Sequence, residues 1–374
     1  MTPASSRSPE EADVLRRLST LDRFLPLWIA LAMAGGLVLG SLIPGIRDLL
    51  ASLQVGTVSI PIALGLLLMM YPVLAKVRYE DLGRRDPGDG RFYAVSLFLS
   101  WVLAPILMFA LAWIFLADEP AYRTGVIIVG LARCIAMVLV WNDLADGDRD
   151  RAAILVVFNA LFQVVAYSLL GWFYLTVLPS WLGLDTQGFE VGIWEVSRTV
   201  LIFLGIPLAA GYLTRRVALR RHGREWFETR VIPRIAPLTL YGLLFTIVLL
   251  FAIQGDEITG APLDVVRIGV PLLLYFTIMW VLGFVVGRAM RLGYAKTATL
   301  AFTVASNDFE LAIAVAVGVF GAASGQALAG TVGPLIEVPV LAGLVYVALW
   351  LRRRLTWPPP DGQDDLRVHP SHCV

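Results

Sequence analysis

The sequence predicts an all-α integral membrane protein with ten transmembrane helices. Of the 374 residues, 58% are hydrophobic and 16% are charged, whereas a soluble domain carries about 25% charged residues. The mean hydropathy is +0.75. Apolar stretches of roughly 18–25 residues recur along the chain, and this is the length that a helix needs to cross a bilayer core of about 30 Å. Lysine and arginine gather between alternate stretches, as expected for a chain that crosses a membrane repeatedly.

Each apolar stretch must satisfy its own backbone hydrogen bonds inside the bilayer, which favours helices. The first stretch begins at Phe24 after a leader of mixed charge. It is too long for a signal-peptide core, so we expect it to remain as the first span. The predicted spans cover residues 24–44, 58–75, 92–116, 124–141, 152–178, 196–214, 235–254, 264–287, 297–320 and 328–351.

The spans fall into two groups of five. The predicted parts are a cytoplasmic N-terminal tail at 1–23, a first five-helix repeat at 24–178, a connecting loop at 179–195, a second five-helix repeat at 196–352 and a cytoplasmic C-terminal tail at 353–374. The tails are polar or proline-rich, and we expect them to be disordered. An odd number of spans per half places the halves in opposite orientations, which is the arrangement of inverted-repeat transporters.

The distribution of basic residues predicts the orientation. With the N-terminus in the cytoplasm, 25 of the 30 lysines and arginines lie in cytoplasmic segments, four lie outside, and Arg133 lies within a span. This bias follows the positive-inside rule at every loop. An odd number of spans would place one terminus on the wrong side. We therefore predict a multi-pass protein of the plasma or inner membrane with both termini in the cytoplasm.

Polar residues interrupt the fourth span of each half. Arg133 lies ten residues into span four, and Asn307 lies eleven residues into span nine, so both are near the middle of the bilayer. Corresponding interrupted segments in two halves indicate the binding site of a transporter. We therefore expect both spans to be broken and to bring four half-helix ends together.

Three charged residues lie at this depth, where a charge costs at least a few kcal/mol. They are Arg133, Asp308 and Glu310. One interpretation is that Arg133 pairs with a carboxylate as an interhelical staple. Glu310 lies on the same helical face as Asn307 and has no other basic residue nearby in sequence. Desolvation favours the protonated form of such a carboxyl group, which suits it to carry a proton.

The chain has two cysteines, Cys134 and Cys373, so no disulfide framework is predicted. A buried cysteine usually acts as a small apolar residue. Arg133 is adjacent in the sequence, and a nearby cation favours the thiolate form of a cysteine. This adjacency favours a functional role for Cys134. Glu337 lies between two prolines in span ten, where it is either a third polar site or the partner of a helix kink.

Several segments resemble the arsenical-resistance family of arsenite permeases, which belongs to the bile acid, arsenite and riboflavin transporter superfamily. They are residues 61–72 and 74–77, the block GLARCIAMVLVWN at 130–142, and SNDFE at 306–310. The resemblance extends over residues 20–352, and the Arg-Cys-Ile-Ala-Met-Val block is typical of the arsenite branch. The resemblance implies ten helices in two inverted repeats, with spans four and nine discontinuous and crossing.

The resemblance also implies export of trivalent arsenite in exchange for protons, with antimonite as a second candidate substrate. It implies that Cys134 is the arsenic(III) ligand and that Glu310 couples transport to protons. The predicted substrate-binding residues are Cys134, Glu310, Asn307, Arg133 and Asn142. The predicted partners are arsenite, protons and the lipid bilayer. No cofactor and no nucleic acid are predicted.

Three other functions were considered. A sodium-coupled organic-anion symporter with the same fold would use Asn307 and Glu310 as sodium ligands. An intramembrane enzyme is disfavoured, because all three histidines lie in a loop or in the C-terminal tail and form no catalytic pair or metal site at mid-membrane. A passive channel would differ from an antiporter in showing no proton-dependent uphill export.

Overall fold

The computed structural model describes residues 24–43, 45–55, 58–80, 89–184, 192–260 and 262–358. The expected disorder of residues 1–23 and of the end of the C-terminal tail lies outside these ranges. In chain order, the helices are α1 Leu25–Leu42, α2 Ile46–Ser52, α3 Ile60–Lys76, α4 Gly90–Phe115, α5 Pro120–Leu131, α6 Met137–Leu144, α7 Arg149–Trp181, α8 Ile193–His222, α9 Ile232–Gly260, α10 Pro262–Ala289, α11 Tyr294–Ala305, α12 Phe309–Phe320 and α13 Gly325–Arg354.

The helices are those of a membrane protein. By length and composition, six described helical segments can cross a bilayer: α4, α7, α8, the segment Arg224–Ile253 that includes most of α9, α10 and α13. Shorter apolar helices occupy Leu27–Leu42, Ile60–Lys76 and Phe309–Phe320. The all-α prediction omits one small feature. Strands β1 (Gln54–Val55) and β2 (Val58–Ser59) form an antiparallel pair just before α3.

Proline widens several of the long helices without ending them. A π-helical turn occupies Leu99–Leu103 in α4, Phe173–Val177 in α7, Leu201–Gly205 in α8 and Phe227–Val231 just before α9. In each case a proline follows two residues after the turn, at Pro105, Pro179, Pro207 and Pro233. A proline ring clashes with the carbonyl of the preceding turn and lacks an N–H, so the backbone accommodates it by a local change of hydrogen bonding.

The helices pack in two groups. Helix α9 packs against α1 and α3, and α3 packs against α8. In the other group, α10 packs against α4, α11 and α13, while α5 packs against α4 and α13. Helix α12 contacts both groups, because it packs against α13 and also against α8. The interrupted segments α5–α6 and α11–α12 therefore lie within the second group and face the first.

Two glycines allow α1 to approach α9 closely. A Cβ atom added at Gly36 would lie 2.5 Å from the carbonyl oxygen of Val248, and one at Gly40 would lie 2.5 Å from the carbonyl oxygen of Ala252. Gly36 and Gly40 form a small-xxx-small pattern on one face of α1, which is typical of closely packed membrane helices. A Cβ at Gly35 would meet nothing within 4 Å.

We expect Gly36→Ala to destabilise the protein, because the clashing atom belongs to the backbone of α9 and cannot rotate away. Overpacking of this kind costs about 1–3 kcal/mol. The adjacent substitution Gly35→Ala is the matched control, and it should leave stability unchanged or slightly raise it, since alanine favours helix. Thermal unfolding in detergent measures both. Equal melting temperatures for the two variants would contradict the close approach of α1 and α9.

Candidate functional site

Two helix breaks form the centre of the candidate site. Helix α5 ends at Leu131 and α6 begins at Met137, while α11 ends at Ala305 and α12 begins at Phe309. The second break has the sequence Ser-Asn-Asp, whose side chains compete with the helical backbone for hydrogen bonds. Asp308 caps α12, because its Oδ1 accepts the N–H of Leu311 at 3.0 Å. Both segments predicted to be interrupted are thus discontinuous.

The two breaks are hydrogen-bonded to each other. The backbone N–H of Cys134 donates to the carbonyl of Ser306 at 3.4 Å, and the N–H of Asp308 donates to the carbonyl of Ala132 at 3.2 Å. These bonds place Arg133 opposite Asn307 in an isolated antiparallel bridge. The C-terminal ends of α5 and α11 and the N-terminal ends of α6 and α12 therefore meet at one place.

Arg133 is fully buried at this bridge, and its guanidinium contacts neutral groups. Its Nη1 donates to the hydroxyl of Tyr275 at 2.7 Å, and its Nη2 donates to the carbonyl of Gly130. No carboxylate of the described residues forms an ion pair with it. The interpretation of Arg133 as an ion-pair staple is therefore wrong within the part of the chain that the structure describes. Instead, the Tyr275 hydroxyl links the two breaks by also donating to Asn307 Oδ1 at 3.2 Å.

The thiol of Cys134 lies in the first break, three residues before α6, and is 3% exposed. Its Sγ accepts the N–H of Val138 at 3.3 Å. The charges that act on this thiol include the carboxyl groups of Glu337, Asp308 and Glu310. Sequence adjacency predicted that the guanidinium of Arg133 would favour the thiolate. The structure does not support that argument, because the guanidinium donates its hydrogen bonds to Tyr275 and Gly130.

The three carboxyl groups differ in accessibility. Asp308 is 2% exposed and Glu337 is 4% exposed, whereas Glu310 is half-buried. Glu310 lies in the first turn of α12, where the partial positive charge of a helix N-terminus favours an anion. Glu337 contacts the second break, since its Oε1 accepts the backbone N–H of Asn307 at 3.4 Å. Of the two sequence interpretations of Glu337, this contact favours a polar site over a kink partner.

Asn142 lies apart from the other predicted site residues. It lies five residues beyond Met137, the first residue of α6, which places it about 7.5 Å along the helix from the break at 1.5 Å per residue. Its Oδ1 accepts the hydroxyl of Thr299 at 2.7 Å, and its carbonyl accepts the N–H of Gly147 at 2.8 Å. The first bond joins the C-terminal part of α6 to the middle of α11, and the second closes the turn that follows α6. The structure brings Arg133, Cys134, Asn307 and Glu310 together and leaves Asn142 outside that group.

Helix α7 contributes polar residues that the sequence analysis missed. Gln163 is fully buried, and its Oε1 accepts the backbone N–H of Arg133 at 2.8 Å. Asn159 donates through Nδ2 to the carbonyl of Cys134 at 3.4 Å and accepts the Trp101 indole N–H at 3.2 Å. The signal was present, because two amides four residues apart in an apolar span lie on one helical face. Both hold the first break in its extended conformation.

Several buried polar atoms at the crossing have no hydrogen-bond partner among the described residues. They are Arg133 Nε, Ser306 Oγ and Asn307 Nδ2. Buried polar groups in proteins are ordinarily hydrogen-bonded, so a cluster of such atoms is unusual. It contains both donors and acceptors. The crossing is therefore chemically suited to a small ligand that carries several hydroxyl groups.

A cavity of about 330 Å³ leads to the first break. Its inner wall includes Ile135 and Ala136, the two residues that follow Cys134. Apolar side chains and five charged ones line the rest, and the charged ones are Lys76, Arg78, Arg149, Arg215 and Glu228. The cavity thus extends from the basic residues Lys76, Arg78 and Arg215 to the two residues that follow Cys134.

Ion pairs order the side chains at the cavity mouth. Arg215 Nη2 lies 2.5 Å from Glu80 Oε1 and 3.3 Å from Glu228 Oε1, and Arg78 lies 3.2 Å from Glu228 Oε2. Burial alone would raise the pKa of Glu80, but the hydrogen bonds and charge of Arg215 outweigh it and hold that pKa below its usual value. The pKa of Glu228 is lowered in the same way by Arg224 and Arg78. Both carboxylates therefore stay ionised at neutral pH.

Comparison with known proteins identifies the family. The profile of the Sodium Bile acid symporter family matches residues 63–261. The chain is 55% identical over 339 residues to the Arsenical-resistance protein Acr3 of Corynebacterium glutamicum, covering 91% of each chain. This chain belongs to the arsenical-resistance permease family. The Arsenical-resistance protein Acr3 of Alkaliphilus metalliredigens is 30% identical, with 87% of the permease and 92% of the relative covered.

The name of a third relative gives no substrate. A protein of Synechocystis sp. described as an uncharacterized transporter is 34% identical over 376 residues, which cover 96% of the permease and 94% of the relative. Together these relatives extend over nearly the whole permease, including both helix breaks. The permease is thus a multi-pass membrane protein of a transporter family.

Proposed function

We propose that the permease exports trivalent arsenite from the cytoplasm in exchange for protons and so confers arsenic resistance. The observation that carries this proposal is the crossing of the two breaks, where the thiol of Cys134, carboxyl groups of the second break and of Glu337, and polar atoms without a partner among the described residues lie together. The names of the two arsenical-resistance relatives support arsenite as the substrate. Antimonite, a trivalent acid of the same kind, is the second candidate substrate.

The chemistry of arsenous acid fits this site. Trivalent arsenic is thiophilic, and thiolate sulfur is the protein ligand of that character. When the Cys134 thiol condenses with arsenous acid, an S–As bond forms, an As–OH bond breaks, and the thiol proton leaves with that hydroxide as water. The two remaining hydroxyl groups are available to atoms such as Ser306 Oγ and Asn307 Nδ2. A single sulfur ligand binds more weakly than a three-thiol trap, which suits transport.

Proton coupling is the second part of the proposal. Arsenous acid is neutral at physiological pH, so the membrane potential cannot drive its export and another ion must do so. Glu310 is the proposed proton carrier because it is the most accessible of the three carboxyl groups at the crossing. Arg133 and Asn307 are proposed to shape the substrate site through Tyr275.

We also propose that the permease has ten spans in two inverted repeats. The packing of the described helices supports this arrangement. Spans one to five are α1, α3, α4, α5–α6 and α7, and spans six to ten are α8, α9, α10, α11–α12 and α13. When each helix is replaced by its counterpart in the other half, three packed pairs map onto packed pairs: α1–α9 onto α8–α3, α4–α5 onto α10–α11, and α7–α8 onto α13–α1. The two interrupted segments, α5–α6 and α11–α12, correspond under the same exchange.

Membrane topology offers a direct check. We expect both termini and the segment from Arg215 to Arg234 to face the cytoplasm, since 25 of the 30 basic residues then lie on that side. Reporter fusions at the loop and at each terminus measure this. A C-terminus outside the cell would contradict the ten-span arrangement, whatever the substrate.

Transport into everted membrane vesicles tests the function. We expect arsenite to accumulate in vesicles with an acidic interior, and we expect a protonophore to abolish the accumulation. Vesicles from cells without the permease are the control. Accumulation driven by a sodium gradient would favour the sodium-coupled symporter, and equilibration without accumulation would indicate a channel. The same assay with antimonite measures the breadth of selectivity.

A further inference from the structure

A second cavity lies along the arginine-rich C-terminal part of α8, from Tyr212 to Arg220. It has a volume of about 330 Å³ and is formed by α8 and by the residues that follow α3. Arg215 and Glu80 contribute to its wall and neutralise each other. We call it the α8 groove, and its other lining residues are Tyr79, Tyr212, Arg216, Leu219 and Arg220.

The α8 groove carries positive charge that no described carboxylate balances. Arg216 donates to the hydroxyl of Tyr212 at 3.0 Å, and its guanidinium lies 5.8 Å from the centre of the Tyr212 ring. Neither contact is with a carboxylate, so neither balances the positive charge of Arg216. Arg220 is exposed and has no hydrogen bond or ion pair with a described residue. Two guanidinium groups, one turn apart on α8, are thus available to an anion.

The groove adjoins an exposed apolar stripe on α8. Leu213 is 56% exposed and Val217 is 48% exposed. With Arg216 and Arg220 they have the spacing i, i+3, i+4 and i+7, so all four lie on one face of α8. An exposed apolar stripe that ends in two arginines is the pattern of a helix leaving the acyl region of a bilayer for its headgroup region.

Aromatic residues mark the same level of the membrane. Tyr79 and Tyr212 pack edge to face with ring centres 5.4 Å apart, and both line the α8 groove. Tyrosine is enriched at the boundary between the acyl chains and water, where its ring is apolar and its hydroxyl is hydrated. The groove therefore lies at the depth of phospholipid headgroups.

We propose that the α8 groove binds the headgroup of an anionic phospholipid. Its phosphate lies between Arg216 and Arg220, whose planar guanidinium groups match phosphate geometry, and its acyl chains follow the stripe of Leu213 and Val217. A free phosphate ion would use the arginines but not the apolar stripe, so the continuity of the two surfaces favours a lipid. Arg215 lines both the groove and the cavity that leads to Cys134, which places the lipid next to the cavity mouth.

Lipid titration of the purified permease in detergent tests this proposal. We expect phosphatidylglycerol to raise the melting temperature in a saturable way, and we expect phosphatidylcholine and inorganic phosphate to have little effect. In Arg216→Gln with Arg220→Gln, the concentration of phosphatidylglycerol at half-maximal effect should rise roughly tenfold or more, since each arginine near an anionic lipid surface contributes substantially to binding. Stability without lipid should be unchanged, because both side chains are exposed.

The control is Arg221→Gln with Arg230→Gln, which removes the same charge from exposed arginines that do not line the groove. It should bind phosphatidylglycerol within twofold of the original permease. An equal loss in this control would overturn the proposal in favour of diffuse attraction, and an equal response to inorganic phosphate would overturn it in favour of a free-anion site. If the groove double variant does not fold, Arg220→Gln alone provides the comparison. None of these outcomes depends on arsenite transport.

Discussion

We expect Cys134→Ser to reduce arsenite export to the background of cells without the permease. Serine has nearly the same size as cysteine, and its oxygen can accept the Val138 N–H that Cys134 Sγ accepts at 3.3 Å. The local structure of the first break should therefore persist. An alcohol oxygen is a poor ligand for a thiophilic element, so the lost export would report lost arsenic ligation. Arsenite resistance of cells and uptake by everted vesicles measure the effect.

Two controls separate ligation from folding. Cys373→Ser removes the other thiol of the chain, which lies outside the described residues, and it should leave export unchanged. The amount of Cys134→Ser protein in the membrane and its melting temperature should match those of the original permease. If cells that carry Cys134→Ser stay resistant to arsenite, Cys134 is a buried apolar residue of the crossing and not a ligand.

Glu310→Gln is the second substitution with a large expected effect. An antiporter needs a site that rarely crosses the membrane empty of both substrate and proton. An ionised carboxylate at mid-membrane costs several kcal/mol unless it is protonated or engaged by a ligand. Glutamine imitates the permanently protonated form. We therefore expect Glu310→Gln to lose accumulation of arsenite against a gradient while it still permits slow exchange down a gradient.

The comparison with Glu310→Asp refines this prediction. Aspartate keeps the titratable group but shortens its reach by one methylene, so we expect a loss of rate of roughly ten- to a hundredfold with the coupling retained. Vesicle uptake at several imposed pH gradients distinguishes rate from coupling. Uphill export by Glu310→Gln with an unchanged pH dependence would move the proton site elsewhere. Asp308 and Glu337 would then be the next candidates, because both contact the second break.

The sequence alone predicted the features that depend on composition and on order along the chain. The length and apolar character of each span determine whether it can cross a bilayer, and the distribution of basic residues predicts the orientation. Charges within apolar runs are rare because they are costly, so Arg133 and Glu310 could be selected before their positions were known. Asn307 was selected by its place in the interrupted span nine, and Cys134 by the resemblance to the arsenite permeases. The described residues bring these four together at the breaks.

Only the tertiary structure decided what each polar group contacts. Arg133 donates to Tyr275 and Gly130 and forms no ion pair with a described carboxylate, and Asn142 joins the C-terminal part of α6 to the middle of α11. Gln163 reaches the first break from a helix that the sequence analysis treated as apolar. These outcomes depend on helices far apart in the chain, whose crossing is set by side-chain packing. The spacing of residues along one helix specifies its faces but not the neighbour that each face meets.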